Sequence, residues 1–78
     1  MSHTPHELHE EFPEFGEKIT SLKADDAHFA KLADEYHEVN RAVHRAETNV
    51  EPIAETAEVE MRKRRGQLKD ELYRILSA

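Results

Sequence analysis

From Phe29 to Ala46 the chain places Phe29, Leu32, Tyr36, Val39, Val43 and Ala46 at alternating spacings of three and four. That rhythm follows the 3.6-residue period of an α-helix and not the two-residue period of a strand, so the six side chains form one apolar stripe along a helix roughly 30 Å long. A stripe of this length demands a cover. The chain has 78 residues, and a single core of that size supplies roughly 3–5 kcal/mol of stability. It has no cysteine, so neither disulfides nor a thiolate zinc site can add to that margin. The cover must be another segment of the same chain, a second copy, or a partner helix.

Upstream, Thr4 has the position of a helix cap, with Pro5 in the first turn and Glu7 at capping-box spacing. Pro13 removes a backbone donor and breaks what starts there. Residues 1–11 are therefore expected to be flexible, and residues 13–23 to form a short helix with Phe12, Phe15, Ile19 and Leu22 on one face. Continuing that face at heptad spacing would need apolar residues at Asp26 and Asn40, so the pattern changes phase and a break is expected at Asp25 and Asp26. Asp26 then suits the N-cap of a long helix over residues 27–48. The stretch "ETNVEP" is a turn signal, and Pro52 is placed to open a last helix over residues 52–77.

The apolar positions of that last helix are Met61, Leu68, Leu72, Ile75 and Leu76, weakly extended by Ala54 and Ala57, with Arg65 where the heptad pattern asks for an apolar residue. Two long helices joined by a short connection lie antiparallel. The expected fold is all-α: a coiled-coil-like helical hairpin, one domain, with the short N-terminal helix near its open end. A turn around residues 49–51 sets Tyr36 opposite Arg65 and Gly66, and Glu35 and Glu38 near Arg64 and Gln67. Gly66, which costs about 1 kcal/mol of helix propensity against alanine, is expected to make room for the Tyr36 ring.

The segments "FPEF", "LKADDAHFAKLADEYHEVNRAVHRAE" and "QLKDELYRIL" resemble the YdcH-like family of small bacterial proteins, which carries a domain of unknown function. The resemblance spans His6 to Leu76 and implies a helical hairpin with no assigned activity. Members often carry serine then aspartate after the turn, and leucines in the last helix, where this chain has Ala54, Glu55, Glu58 and Gly66. Its last helix is correspondingly less apolar in its upstream half.

The basic run Arg62, Lys63, Arg64 and Arg65 stands out in a chain of formal net charge −6. Such cations can track phosphates, yet four consecutive helical residues span more than one face, and a pI near 5.4 is far from the basic footprint of a nucleic-acid binder. Pairing with carboxylates across the hairpin is the plainer expectation. His3, His6 and His9 recur every third residue, and His37 and His44 lie seven apart. Without an HExxH motif or a cysteine partner they are expected to be solvated, and no metal or other cofactor is expected. Carboxylate pairs such as Glu10 and Glu11 fall on helix faces, and there is no phosphate loop or nucleophile elbow.

No stretch approaches the ~20 apolar residues of a membrane span, and the histidine-rich start lacks the basic and apolar regions of a signal peptide. The expectation is a cytoplasmic, non-enzymatic interaction module with no small-molecule substrate and no membrane. It would form a homo-oligomer or bind a helical protein partner through Phe29, Leu32, Tyr36, Val39 and Val43 together with Met61, Leu68, Leu72 and Ile75. The alternative is a nucleic-acid accessory protein using residues 62–65.

Overall fold

A computed structural model describes residues 6–48 and 55–78. The described residues form a helical turn α1 (Leu8–Glu11), a 3-10 turn at Pro13–Phe15, and the helices α2 (Gly16–Asp25), α3 (Ala27–Glu47) and α4 (Glu55–Ser77). Helices α3 and α4 pack along each other as the hairpin, and α2 packs on α3. Asp26 breaks the chain between α2 and α3 with an extended backbone, and its side chain accepts from the Phe29 amide at 3.1 Å. The phase change in the apolar pattern is thus a corner, and the first turn of α3 gains the acceptor that a helix N-terminus lacks. The hairpin turn and the expected start at Pro52 lie outside the described residues.

One core joins three parts of the chain. Phe29, Leu32, Ala33 and Tyr36 come from α3, Leu68, Leu72 and Leu76 from α4, and Leu8, Phe12 and Ile19 from the N-terminal segment, with Phe15, Leu22, Val39 and Ile75 packed against them. Each large side chain so buried contributes roughly 1.5–3 kcal/mol of transfer free energy. Val43 and Ala46 are buried nearer the hairpin turn, where the facing half of α4 offers the half-buried Met61 and little else that is apolar.

The flexible lead-in expected over residues 1–11 is corrected from Leu8 onward. Glu7 caps α1 through a reciprocal capping box with Glu10, and Leu8 and Phe12 are buried. Leu8, Phe12, Phe15, Ile19 and Leu22 continue one 4-3-4-3 rhythm, so Pro13 redirects the chain through a 3-10 turn without ending its apolar face. The segment is fastened to the far end of α4. Lys18 Nζ donates to the carbonyls of Leu76 (2.7 Å) and Ala78 (3.4 Å), where a cation suits the negative end of the helix dipole. Phe12 and Phe15 also lie against the Tyr73 ring, with centroids 5.5 and 6.2 Å away.

Candidate functional site

Of the nine residues expected to form an interaction stripe, Phe29, Leu32, Tyr36, Val43, Leu68 and Leu72 are buried inside the folded chain. Val39, Met61 and Ile75 are half-buried. The stripe is therefore mostly core, and the cover it demanded includes the chain's own first two helices. Among the described residues, the large apolar side chains left exposed are Val59 (41%) and Tyr73 (47%), both on α4.

Polar chemistry gathers where the N-terminal turn crosses α3 and α4. Asn40 is fully buried. Its carboxamide oxygen accepts from Arg65 Nη1 at 3.0 Å, and its Nδ2 donates to Glu7 Oε1 at 3.2 Å. The second Glu7 oxygen lies 3.0 Å from His37 Nδ1; with the carboxylate as acceptor, that ring nitrogen carries the hydrogen. A polar group so deeply buried is tolerated because both ends of its amide are bonded.

Beside it, the buried Tyr36 donates its hydroxyl to the His6 carbonyl at 2.5 Å. His6 sits in the left-handed region (φ 65°), which costs a non-glycine residue roughly 1–2 kcal/mol and turns its carbonyl toward α3. Burial, reinforced by the nearby Glu11 and Glu7 carboxylates and partly offset by Arg65, pushes the Tyr36 phenol up to about 12. Glu11 accepts from Lys69 Nζ at 2.8 Å and lies 3.4 Å from His6 Nδ1. The Lys69 hydrogen bond holds the Glu11 carboxyl below its ordinary range despite partial burial, and the same ammonium sits 5.7 Å from the Phe12 ring centroid.

Between these groups lies a cleft of about 260 Å³ lined by His6, Glu11, Tyr36, Arg62, Arg65, Gly66 and Lys69. The expected packing of Tyr36 on Gly66 is corrected by its geometry. The two residues share the cleft wall, but a Cβ added at Gly66 meets nothing within 4 Å, so the glycine is not required by the ring.

Each cation of the basic run has a partner in the chain. Arg62 Nη2 donates to Glu58 (2.7 Å) and Glu47 (3.2 Å), Lys63 approaches Glu60 (3.9 Å), Arg64 pairs with Glu35, and Arg65 with Asn40. The Arg64–Glu35 pair lies where the antiparallel register puts it. Such exposed pairs contribute on the order of 0–1 kcal/mol each, so they orient the run more than they hold the fold. Among the described residues, no three His, Cys, Asp or Glu side chains are grouped to hold a metal ion, and no helix is long and apolar enough to cross a membrane.

Sequence reasoning met Asn40 only as a polar residue on the heptad continuation of the Phe12 and Ile19 face, and Glu7 only at capping-box spacing from Thr4, and gave neither a place in a polar cluster. A family model described as a protein of unknown function (DUF465) matches residues 29–76. The match covers the hairpin and leaves α1 and α2 outside it. No curated protein and no solved structure matches the chain.

Proposed function

We propose that this chain, which belongs to the DUF465 family of proteins of unknown function, acts by binding alone, as a non-enzymatic helical module that associates with a second copy of itself through the exposed strip of α4 that carries Val59 and Tyr73. The same reading keeps the YdcH-like assignment drawn from "FPEF", "LKADDAHFAKLADEYHEVNRAVHRAE" and "QLKDELYRIL" and a cytoplasmic setting. The observation that carries it is the placement of Val59 and Tyr73, exposed by 41% and 47% and two heptads apart on one helix. At 100° per residue the two positions differ by only about 40° around the axis, so with Gly66 midway they line one strip. Apolar groups aligned along a helix gain most by meeting another helix.

Sedimentation equilibrium from micromolar to hundreds of micromolar tests the reading. A concentration-dependent dimer or higher oligomer is expected, and Val59→Glu, which leaves the Tyr73 contacts with Phe12 and Phe15 in place, should shift it to monomer while helicity is kept. A folded monomer across the whole range overturns self-association. Tight, salt-sensitive binding of duplex DNA or RNA, lost when Arg62 and Arg64 become glutamine, would replace the reading with nucleic-acid recognition.

A further inference from the structure

The cleft between the N-terminal turn and α4 carries a second reading, argued from observations other than the exposure of Val59 and Tyr73. Arg62, Arg65 and Lys69 are spaced three and four apart on α4 and line one wall of it, with Gly66 among them. Three cations meet there in a chain whose formal net charge is −6; Arg62 is held from outside the cleft by Glu58 and Glu47, which leaves Arg65 and Lys69 as the cations that face an anion. One carboxylate, Glu11, shares the lining, and it is bonded to Lys69. Arg65 is half-buried, and its described partner, the Asn40 carboxamide, carries no charge. A guanidinium has five N–H donors in a fixed fork, and the Asn40 bond engages Nη1 alone. Gly66 supplies the space. A Cβ there would meet no atom within 4 Å, so packing within the chain gives no reason for a residue that costs about 1 kcal/mol of helix propensity.

We propose that this cleft binds a small phosphate-bearing anion. Arg65 takes two of its oxygens with the guanidinium fork, the geometry that suits phosphate best. Lys69 exchanges its Glu11 carboxylate for a third oxygen, and the missing side chain of Gly66 leaves the anion room against α4. At about 260 Å³ the cleft falls below the size of drug-like ligand sites and suits a phosphate or diphosphate group more than a folded polymer.

The test is titration of the isotopically labelled protein with inorganic phosphate and with pyrophosphate at low ionic strength, followed by amide chemical shifts. Saturable shifts centred on Arg65, Gly66 and Lys69 are expected, with a pyrophosphate Kd on the order of 1 mM or tighter. Arg65→Gln should weaken it at least about tenfold, equivalent to 1.4 kcal/mol. Gly66→Leu extends a side chain from a position whose Cβ has open space around it into the cleft, and with helicity checked by circular dichroism it should also abolish saturation. Shifts that rise linearly, that chloride reproduces, or that survive both substitutions would overturn the proposal. A duplex that binds the same residues more tightly than pyrophosphate would overturn it as well, assigning the cations to a nucleic-acid surface.

Discussion

Arg65 and Asn40 meet across the hairpin with a 3.0 Å hydrogen bond from guanidinium to carboxamide, at the position where the heptad pattern of α4 lacks an apolar residue. The pair stands where two leucines would make a plainer seam. It ties the register of α3 and α4 to a specific polar contact and, through Glu7, to the N-terminal turn. Replacing Arg65 takes the partner from the Asn40 oxygen, whereas replacing Asn40 takes a partner from both Arg65 and Glu7.

Asn40→Leu should therefore destabilise the chain by about 1–3 kcal/mol, and adding Arg65→Met should recover part of that loss, the bond to Glu7 staying broken. Urea denaturation of the two single variants and the double variant measures it. A coupling of at least about 0.5 kcal/mol is expected, and simple additivity would mean that the hydrogen bond carries no stability.

Gly66→Ala should stabilise by about 1 kcal/mol, since it gains helix propensity and the new methyl meets open space. The midpoint of thermal or urea unfolding reads this directly. A loss of stability would place an atom where the structure has none.

The N-terminal segment is predicted to be integral to the fold. Phe12→Ala removes a buried ring that contacts Phe15 and Tyr73, and truncations of this kind cost about 3–5 kcal/mol, nearly the whole margin of a domain this small. A change below about 0.5 kcal/mol, the level of an ordinary surface substitution, would show the segment undocked.

Two titrations bound the stable pH range. Glu11 is held below its unfolded value of 4.5 by Lys69, so its contribution is present above that value and is lost as pH falls through the folded one. Glu11→Gln should flatten the acid limb of a Tm against pH curve. Tyr36 is raised from 10.0 to about 12, so between those values the unfolded chain releases a proton that the folded chain keeps. Stability should then fall by roughly 2–3 kcal/mol as pH rises through that window. Tyr36→Phe should remove that fall, at the cost of about 0.5–1.5 kcal/mol near neutrality for the lost bond to the His6 carbonyl. An alkaline limb unchanged by the substitution would count against a buried phenol.

The hairpin was legible because helix periodicity is a local property repeated over almost twenty residues, and the corner at Asp26 because a phase change and a capping residue coincide there. Leu8 was missed because Pro13 reads as a stop, although the Leu8 to Leu22 spacing runs straight through it. Asn40 was visible only as a gap in a pattern. Whether such a gap faces water or the interior depends on what lies across it, and here Arg65 and Glu7 come from segments 25 and 33 residues away. Gly66 shows the opposite error. The register placed it near Tyr36, but whether a ring touches a backbone is decided by tenths of an ångström that no spacing rule contains.

The bond from Lys18 to the Leu76 carbonyl spans 58 residues of sequence, as does the one from Lys69 to Glu11, while Arg64 and Glu35 are 29 apart. Closing the longer loop carries the larger entropy cost, so α3 and α4 can zip together before the first helices settle across their ends. The order of opening is the reverse. The segment up to the end of α2 acts as a latch, and the amides of α1 and α2 should exchange with solvent through a partial opening that leaves the central turns of α3 and α4 protected. A binding partner that engages only the latched form would thus meet a population set by that local equilibrium and not by the global stability of the chain.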